Sequence, residues 1–396
     1  MFNKIAIIGV GLIGGSLALA LRKNVAVKEI SGCSRTQDTV FKALGLGIMD
    51  EGSTDIEEVV KGAEIIVLCT PLGTYGALAK EISRHMDEGA ILTDAGSVKG
   101  LPSEDAINNL SKEQASLFVP AHPIAGTENS GPDAAFSELF EGKNVIITPL
   151  KNTDKAAIEK VKTMWQKAGA NVTELDIKSH DFIYAHVSHN IQFLSSAFAL
   201  AIANHEGILS DSDINFKKFI RLFGSDPVMW RDIFLENTEN LKKAVELFKE
   251  NITSLVENID AKRLEAAKEK RLEMHTLFKG HSHTSFRESE YENLSGDSKI
   301  WIDIMPRLIS CAIIEGIDKE HYEYASGAGL HGFTKNIILD GATDTQDILD
   351  NSDAVKKALG EFVEQIDLLV KAIEDKDSTQ IEALLGKGKE LYQKIN

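Results

Sequence analysis

The stretch that most restricts the fold is Ile5-Ala-Ile-Ile-Gly-Val-Gly-Leu-Ile-Gly14, an apolar run passing into glycines spaced Gly-x-Gly-x-x-Gly. Gly9 permits a tight turn, Gly11 lets a pyrophosphate approach the backbone, and Gly14 lets the following helix pack on the strand. Leu12 and Ile13 open that helix, whose free N–H groups and partial positive charge suit phosphates. A dinucleotide site made of Gly9, Gly11, Leu12, Ile13 and Gly14 follows, and with it an α/β Rossmann-like doubly wound sheet.

The strand–helix alternation continues. About 20 residues on, the run Glu29 to Cys33 ends in Ser34-Arg35-Thr36. A site for NAD usually places an acidic residue there for the ribose 2′-hydroxyl. A guanidinium flanked by hydroxyls suits a 2′-phosphate instead, so NADP is favoured and NAD remains possible. Glu64 to Pro71 and Ala90 to Lys99 read as buried strands with polar carboxyl ends. In open α/β sheets that end faces the ligand, which places Thr70, Pro71 and Ser97 toward the cofactor. Lys143–Pro149 and Asn171–Leu175 are expected to add later strands.

Val119 to Gly131 gathers His122, Thr127, Glu128 and Ser130 in a Pro/Gly-rich turn directly after an apolar run. Polar groups on a turn at a strand end suit a site on a rigid scaffold. This one falls between a nucleotide-binding half and a helical half.

From about residue 179 the pattern is helical. Ser179 to Asn204 reads as nearly one helix, with His186, His189 and Gln192 on one face. The His-x-x-His spacing has no third ligand near it, so no metal is expected. Arg221 falls in a helix over 216–223. Residues 225–227 (Ser-Asp-Pro) start another that carries Trp230, and Thr238 to Leu277 reads as a solvated, charged helix pair. The domains expected are 1–178 (dinucleotide-binding), 179–279 (helical, substrate and dimerisation type), a linker at 280–299, and 300–396.

The last block repeats the first helical one at an offset of 114 residues. Phe219-Ile-Arg221 matches Phe333-Thr-Lys335, and Lys242-Lys243-Ala244 matches Lys356-Lys357-Ala358. Phe248 matches Phe362, Ile252 matches Ile366, and Leu255-Val256 matches Leu369-Val370. A fixed offset signals a reused structural unit. Arg221 and Trp230 fall opposite Lys335 and Asp344, so the copy keeps packing residues and loses site residues. It is expected to pack on the first block as a partner subunit would, giving either a monomer with an internal pseudo-dimer or a homodimer.

Composition sets outer limits. The 396 residues carry a net charge of −17, which excludes a nucleic-acid or anionic membrane surface. No stretch has 18 consecutive apolar residues. Three scattered cysteines read as reduced thiols, consistent with a cytoplasmic protein.

The chain resembles the prephenate/arogenate dehydrogenases of tyrosine biosynthesis. The resemblance spans residues 4–278 and rests on GVGLIGGS (9–16), CTP (69–71), TDAGSVKG (93–100), HPIAGTENSG (122–131), HDFIYAHVSH (180–189) and RLFGSDPVMWRDIFLEN (221–237). It implies oxidative decarboxylation with a nicotinamide cofactor. His122 would accept or polarise the proton of the substrate hydroxyl, and Ser97 would orient it. Arg221 would grip a substrate carboxylate, and Thr127, Glu128, His189, Gln192 and Trp230 would line the pocket. Gln192 stands where the family often has histidine, leaving open prephenate against arogenate. Lys218 stands where it often has an acid. Two other readings are a β-hydroxyacid dehydrogenase, which would rely on a lysine in the helical half, and a catalytically silent nucleotide sensor, against which Ser97, His122 and Arg221 together argue.

Overall fold

The computed structural model describes the chain apart from residues 128, 206, 209–215, 217–219, 278–293, 295, 325–329, 331–340 and 396. It forms two compact units, Met1–Asp181 and Phe182–Asn396.

In the first unit, β1 (Phe2–Ile8), α1 (Leu12–Lys23), β2 (Val27–Cys33), α2 (Gln37–Gly45), β3 (Glu51–Ser53), α3 (Ile56–Val60), β4 (Ile65–Leu68), α4 (Tyr75–His85), β5 (Ile91–Asp94), α5 (Gly100–Ile107), α6 (Lys112–Ser116) and β6 (Phe118–Val119) alternate. The six strands form one parallel sheet in the order β3-β2-β1-β4-β5-β6. Central strands of such a sheet are covered on both faces, and all four residues of β4 are buried accordingly. The order reverses between β1 and β4, where ligands bind in such sheets. The Gly9 turn follows one of these strands and Thr70-Pro71 the other.

The later strands form at the expected segments and belong to a second sheet. Pro120, which has no N–H to donate to a ladder, separates β6 from β7 (Ala121–Pro123). A second sheet follows, with β7 antiparallel to β8 (Asn144–Ile147), and β8, followed by α7 (Lys155–Lys167), parallel to β9 (Asn171–Glu174). His122 lies opposite Ile146 in it.

The helix expected over 179–204 is interrupted. α8 (Ile177–Tyr184) passes into a π-helical stretch, Ala185–His189, before α9 (Asn190–Ile202), every residue of which is buried. Arg221 sits on a 3₁₀ turn, Ile220–Gly224, and residues 217–219 of the helix expected over 216–223 lie outside the described residues. α10 (Pro227–Glu236), α11 (Thr238–Glu257) and α12 (Ala261–Leu277) complete the first helical block. Residues 280–293 of the expected linker lie outside the described residues, and a helical turn begins at Gly296.

The second block repeats the first. Its π-helical stretch, Lys299–Ile304, begins 114 residues after Ala185. It leads into α13 (Met305–Glu315), followed by α14 (Gly341–Asp350), α15 (Ser352–Glu374) and α16 (Ser378–Ile395). α14 begins and ends 114 residues after α10, and Asn237 and Asn351 cap α11 and α15 with similar backbone angles (φ −120°, ψ 30° and φ −110°, ψ 17°). Lys218, Phe219 and residues 333–335 of the sequence repeat lie outside the described residues.

Packing between the blocks is reciprocal. α9 packs on α15 while α11 packs on α13, and α10 packs on α16 while α12 packs on α14. Each contact therefore has a counterpart with the roles exchanged, the arrangement of an isologous two-fold interface. Phe198 of α9 meets Trp301 and Phe362, with ring centroids 5.8 Å apart in each pair. α11 is amphipathic and buries Leu241, Phe248 and Ile252, a face that the second block covers.

Candidate active site

The glycine turn has the geometry a dinucleotide needs. Gly9 has a φ of 99°, and a side chain there would meet the Cys69 carbonyl. A side chain at Gly14 would meet the Gly9 carbonyl, so both positions hold strand and helix in close approach. A Cβ at Gly11 would enter open space. α1 starts there with no side-chain cap and no acidic residue in its first turn, leaving Leu12 and Ile13 at an N-terminus suited to an anion. At the end of β2, Ser34 is buried and Arg35 exposed. Thr36 has a structural task as well, since its Oγ1 accepts from the Thr39 amide and caps α2. Thr70 is half-buried, with its hydroxyl 2.9 Å from that of Thr74, and Pro71 turns the chain into α4.

His122 on β7 is only 8% exposed and anchors a buried polar cluster. Its Nδ1 lies 2.9 Å from Nε2 of His180 on α8, the rings meeting near edge to face. His180 Nδ1 in turn lies 2.8 Å from Asp181 Oδ1. The Asp181 carboxylate also accepts from the amides of Lys99 (2.9 Å) and Gly100 (2.7 Å) at the start of α5.

The Lys99 ammonium, fully buried, pairs with Asp94 and donates to the Ala121 carbonyl at 2.7 Å. Asp94 also accepts from the Ala121 amide (2.9 Å), the Gly96 amide (2.8 Å) and the Tyr75 hydroxyl (2.9 Å). Both backbone groups of the residue before His122 are thus held by a buried ion pair.

Burial sets the protonation states here. It pushes the His180 pKa below its ordinary 6.5, against the pull of Asp181. Burial alone would raise the Asp181 carboxyl. The hydrogen bond and charge of His180 and the two amides outweigh it and hold the carboxyl below its usual value. Burial likewise lowers the Lys99 ammonium despite its pairing with Asp94.

The structure places Ser97 half-buried in the turn after β5, and the group at Nδ1 of His122 is His180. Thr127 is exposed, its hydroxyl accepting from the Asn129 amide at 3.3 Å, and Glu128 lies outside the described residues. His180, Asp181 and Lys99 were not singled out from sequence. All three lie inside HDFIYAHVSH (180–189) and TDAGSVKG (93–100), but nothing local signals that His180 returns to a histidine 58 residues earlier.

The second unit gathers other candidates by itself. His189 ends the π-helical stretch, with Nδ1 3.1 Å from the Asn237 side-chain amide, and its ring packs edge to face on Trp230. Gln192 donates to the Leu222 carbonyl (3.0 Å) and accepts from the Ser225 hydroxyl (3.3 Å). Gln192, Phe223, Ser225 and Trp230 line a small cavity whose remaining wall includes Leu385 and Gly388 of α16. The Trp230 indole N–H is buried there with no hydrogen-bond partner among the described residues. Arg221 is half-buried on its 3₁₀ turn, and the Tyr392 ring of α16 lies against Gly224, where any side chain would collide with it.

Among the described residues no helix is long and apolar enough to cross a membrane, and no cluster of His, Cys, Asp and Glu could hold a metal.

Comparison with known proteins agrees with this geometry. Residues 17–174 match the family model described as prephenate dehydrogenase, nucleotide-binding domain, and residues 176–278 the one described as prephenate dehydrogenase, dimerization domain. The chain is 32% identical over 253 residues to the cyclohexadienyl dehydrogenase of Zymomonas mobilis, covering 63% of this chain and 85% of that one. It is 31% identical over 272 residues to the prephenate dehydrogenase of Bacillus subtilis, covering 67% and 73%. The crystal structure of prephenate dehydrogenase from A. aeolicus, in complex with hydroxyphenyl propionate and NAD+, superposes with a TM-score of 0.57 at 36% identity, covering 70% of this chain and 96% of that one. The matched domains end at residue 278, before the second helical block. With its glycine-turn nucleotide site and buried His122 cluster, the chain belongs to the prephenate/arogenate dehydrogenase family of nicotinamide-dependent oxidoreductases.

Proposed function

We propose that this chain catalyses the oxidative decarboxylation of prephenate to 4-hydroxyphenylpyruvate. The observation that carries the reading is the fixed, buried His122 ring at the start of a polar turn in the nucleotide-binding unit. When bound at the Gly9–Gly14 turn, the nicotinamide cofactor supplies the hydride acceptor. His122 takes the proton of the ring hydroxyl as that carbon loses its hydrogen. The bond to the ring carboxylate then breaks, its electron pair completes the aromatic ring, carbon dioxide leaves, and the phenolate oxygen recovers a proton from His122. Arg221 grips a substrate carboxylate, as a dianionic substrate on an acidic protein requires. Ser97 and Thr127 act at the reacting ring, while His189, Gln192 and Trp230 read the rest of the molecule. The orphaned indole N–H of Trp230 suits a ligand acceptor.

The cofactor in this reading is NADP in preference to NAD. It is supported by Ser34-Arg35-Thr36 at the end of β2, where a guanidinium and two hydroxyls stand in place of an acidic residue. The second helical block takes the place of a partner subunit, making one chain an internal pseudo-dimer. Reciprocal packing supports this, as does the wall that α16 adds to the cavity at Gln192 and Trp230. Arogenate is the second substrate reading, favoured by Gln192, whose neutral amide is held in place by Leu222 and Ser225.

The test is an assay of the purified chain crossing prephenate and arogenate with NAD and NADP. Prephenate with NADP should give the highest kcat/KM. Turnover of arogenate alone would move the chain to the second reading, and turnover of neither would overturn the first.

A further inference from the structure

With Asp181 ionised and His180 neutral, hydrogen bookkeeping fixes the direction of both contacts between Asp181, His180 and His122. An ionised carboxylate only accepts hydrogen bonds, so the 2.8 Å contact at Asp181 requires the His180 proton on Nδ1. A neutral His180 then carries its lone pair on Nε2. The 2.9 Å contact with His122 requires a hydrogen between the two nitrogens, and only Nδ1 of His122 can supply it. A neutral His122 then carries its lone pair on Nε2.

We propose that His180 is a positioning residue for the reaction, which fixes His122 in the tautomer that presents Nε2 as the base. The inference rests on the reading of His122 as the base. It goes beyond that reading by assigning a role to a second histidine and its carboxylate. When His122 Nε2 takes the substrate proton, its Nδ1–H bond to His180 becomes charge-assisted and strengthens. The Asp181 carboxylate behind His180 then faces the new positive charge through one intervening ring.

Among the described residues, the groups that face His180 include Asp181 beside it on α8, Lys99 at the start of α5, Asp94 at the end of β5 and His122 on β7. Lys99 opposes a positive charge on this path. The two amides on Asp181 spread the carboxylate charge into the backbone, so the proton stays on His180 Nδ1 rather than passing to Asp181.

The first test is histidine nitrogen NMR on the full chain above the titration of His122, with His122→Asn assigning its signals. The proposal expects Nδ1 protonated and Nε2 unprotonated. The reverse pattern in the wild-type protein would overturn it, whatever any variant does.

The second test is a pair of variants. In His180→Gln the amide oxygen can accept from His122 and the amide N–H can donate to Asp181. In His180→Leu neither bond forms. The proposal expects His180→Leu to lose about 10²-fold or more in kcat with little change in cofactor Kd. His180→Gln should recover at least about tenfold of that loss and keep the wild-type nitrogen pattern. Equal kcat loss in both variants, with the tautomer unchanged in both, would show a packing role only and sink the inference. Failure of the underlying reading has a different signature: full turnover by His122→Asn, with the tautomer of wild-type His122 still as expected.

Discussion

Phe248 and Phe362, 114 residues apart in sequence, meet near edge to face with ring centroids 6.1 Å apart. Each is the other's counterpart in the repeated helical block. A residue that touches its own copy lies on the axis relating the two copies. In the pseudo-dimer proposed above, the internal two-fold passes through this contact, where α11 and α15 pack on each other. Both rings are buried, so Phe248→Ala and Phe362→Ala should each destabilise the chain by about 3–5 kcal/mol. Because the rings touch, the double variant should lose less than the sum. Urea unfolding followed by circular dichroism measures both, and an additive double variant would remove the axis contact from the account.

The ion pair under β7 gives a second prediction. Lys99→Met leaves the Asp94 carboxylate buried with its charge unpaired, and breaking such a pair from one side costs about 3–5 kcal/mol. It also removes a donor from the Ala121 carbonyl, so the backbone carrying His122 loosens. Unfolding midpoints should fall accordingly. A loss below about 1 kcal/mol, the range of surface pairs, would contradict the buried geometry.

Acid stability follows from His180. The unfolded chain protonates this ring near 6.5, whereas burial delays its protonation in the folded chain to lower pH. Between those points the unfolded state binds more protons, so stability is full above about pH 6.5 and declines as the pH falls below it. His186, also lowered by burial, adds to the decline in the same window. Thermal unfolding of wild type and His180→Gln between pH 7 and pH 5 checks this, since the variant should show a shallower decline. Parallel curves would mean that His180 is not held neutral.

Much of the first unit was legible because its signals are local. A glycine turn, an apolar strand and a helix start occur within ten residues, and buried parallel strands read as continuous apolar runs. The second sheet was not legible, because strand identity says nothing of partners and the break at Pro120 redirects the chain. The π-helical stretches at 185 and 299 were invisible to helix periodicity. The offset of 114 residues could be read because apolar positions such as Phe248 and Phe362 recur at it. Of the candidate site, His122 was marked by its turn. His180, Asp181 and Lys99 were not, since their role depends on long-range contacts that no spacing reports.

For the cofactor, Arg35→Ala should weaken NADP far more than NAD. Losing a charged partner of a phosphate costs about 1.5–3 kcal/mol, roughly 10- to 150-fold in Kd. Fluorescence titration of both cofactors measures it, and equal losses would show that Arg35 does not read the 2′-phosphate.

The central claim is that His122 is the base of a dehydrogenase, and the most direct measurement is the turnover of His122→Asn on prephenate beside its cofactor affinity. The account predicts an intact fold, unchanged cofactor Kd and a kcat lower by roughly 10²–10⁴-fold. A variant that binds cofactor and turns over at the wild-type rate would contradict it.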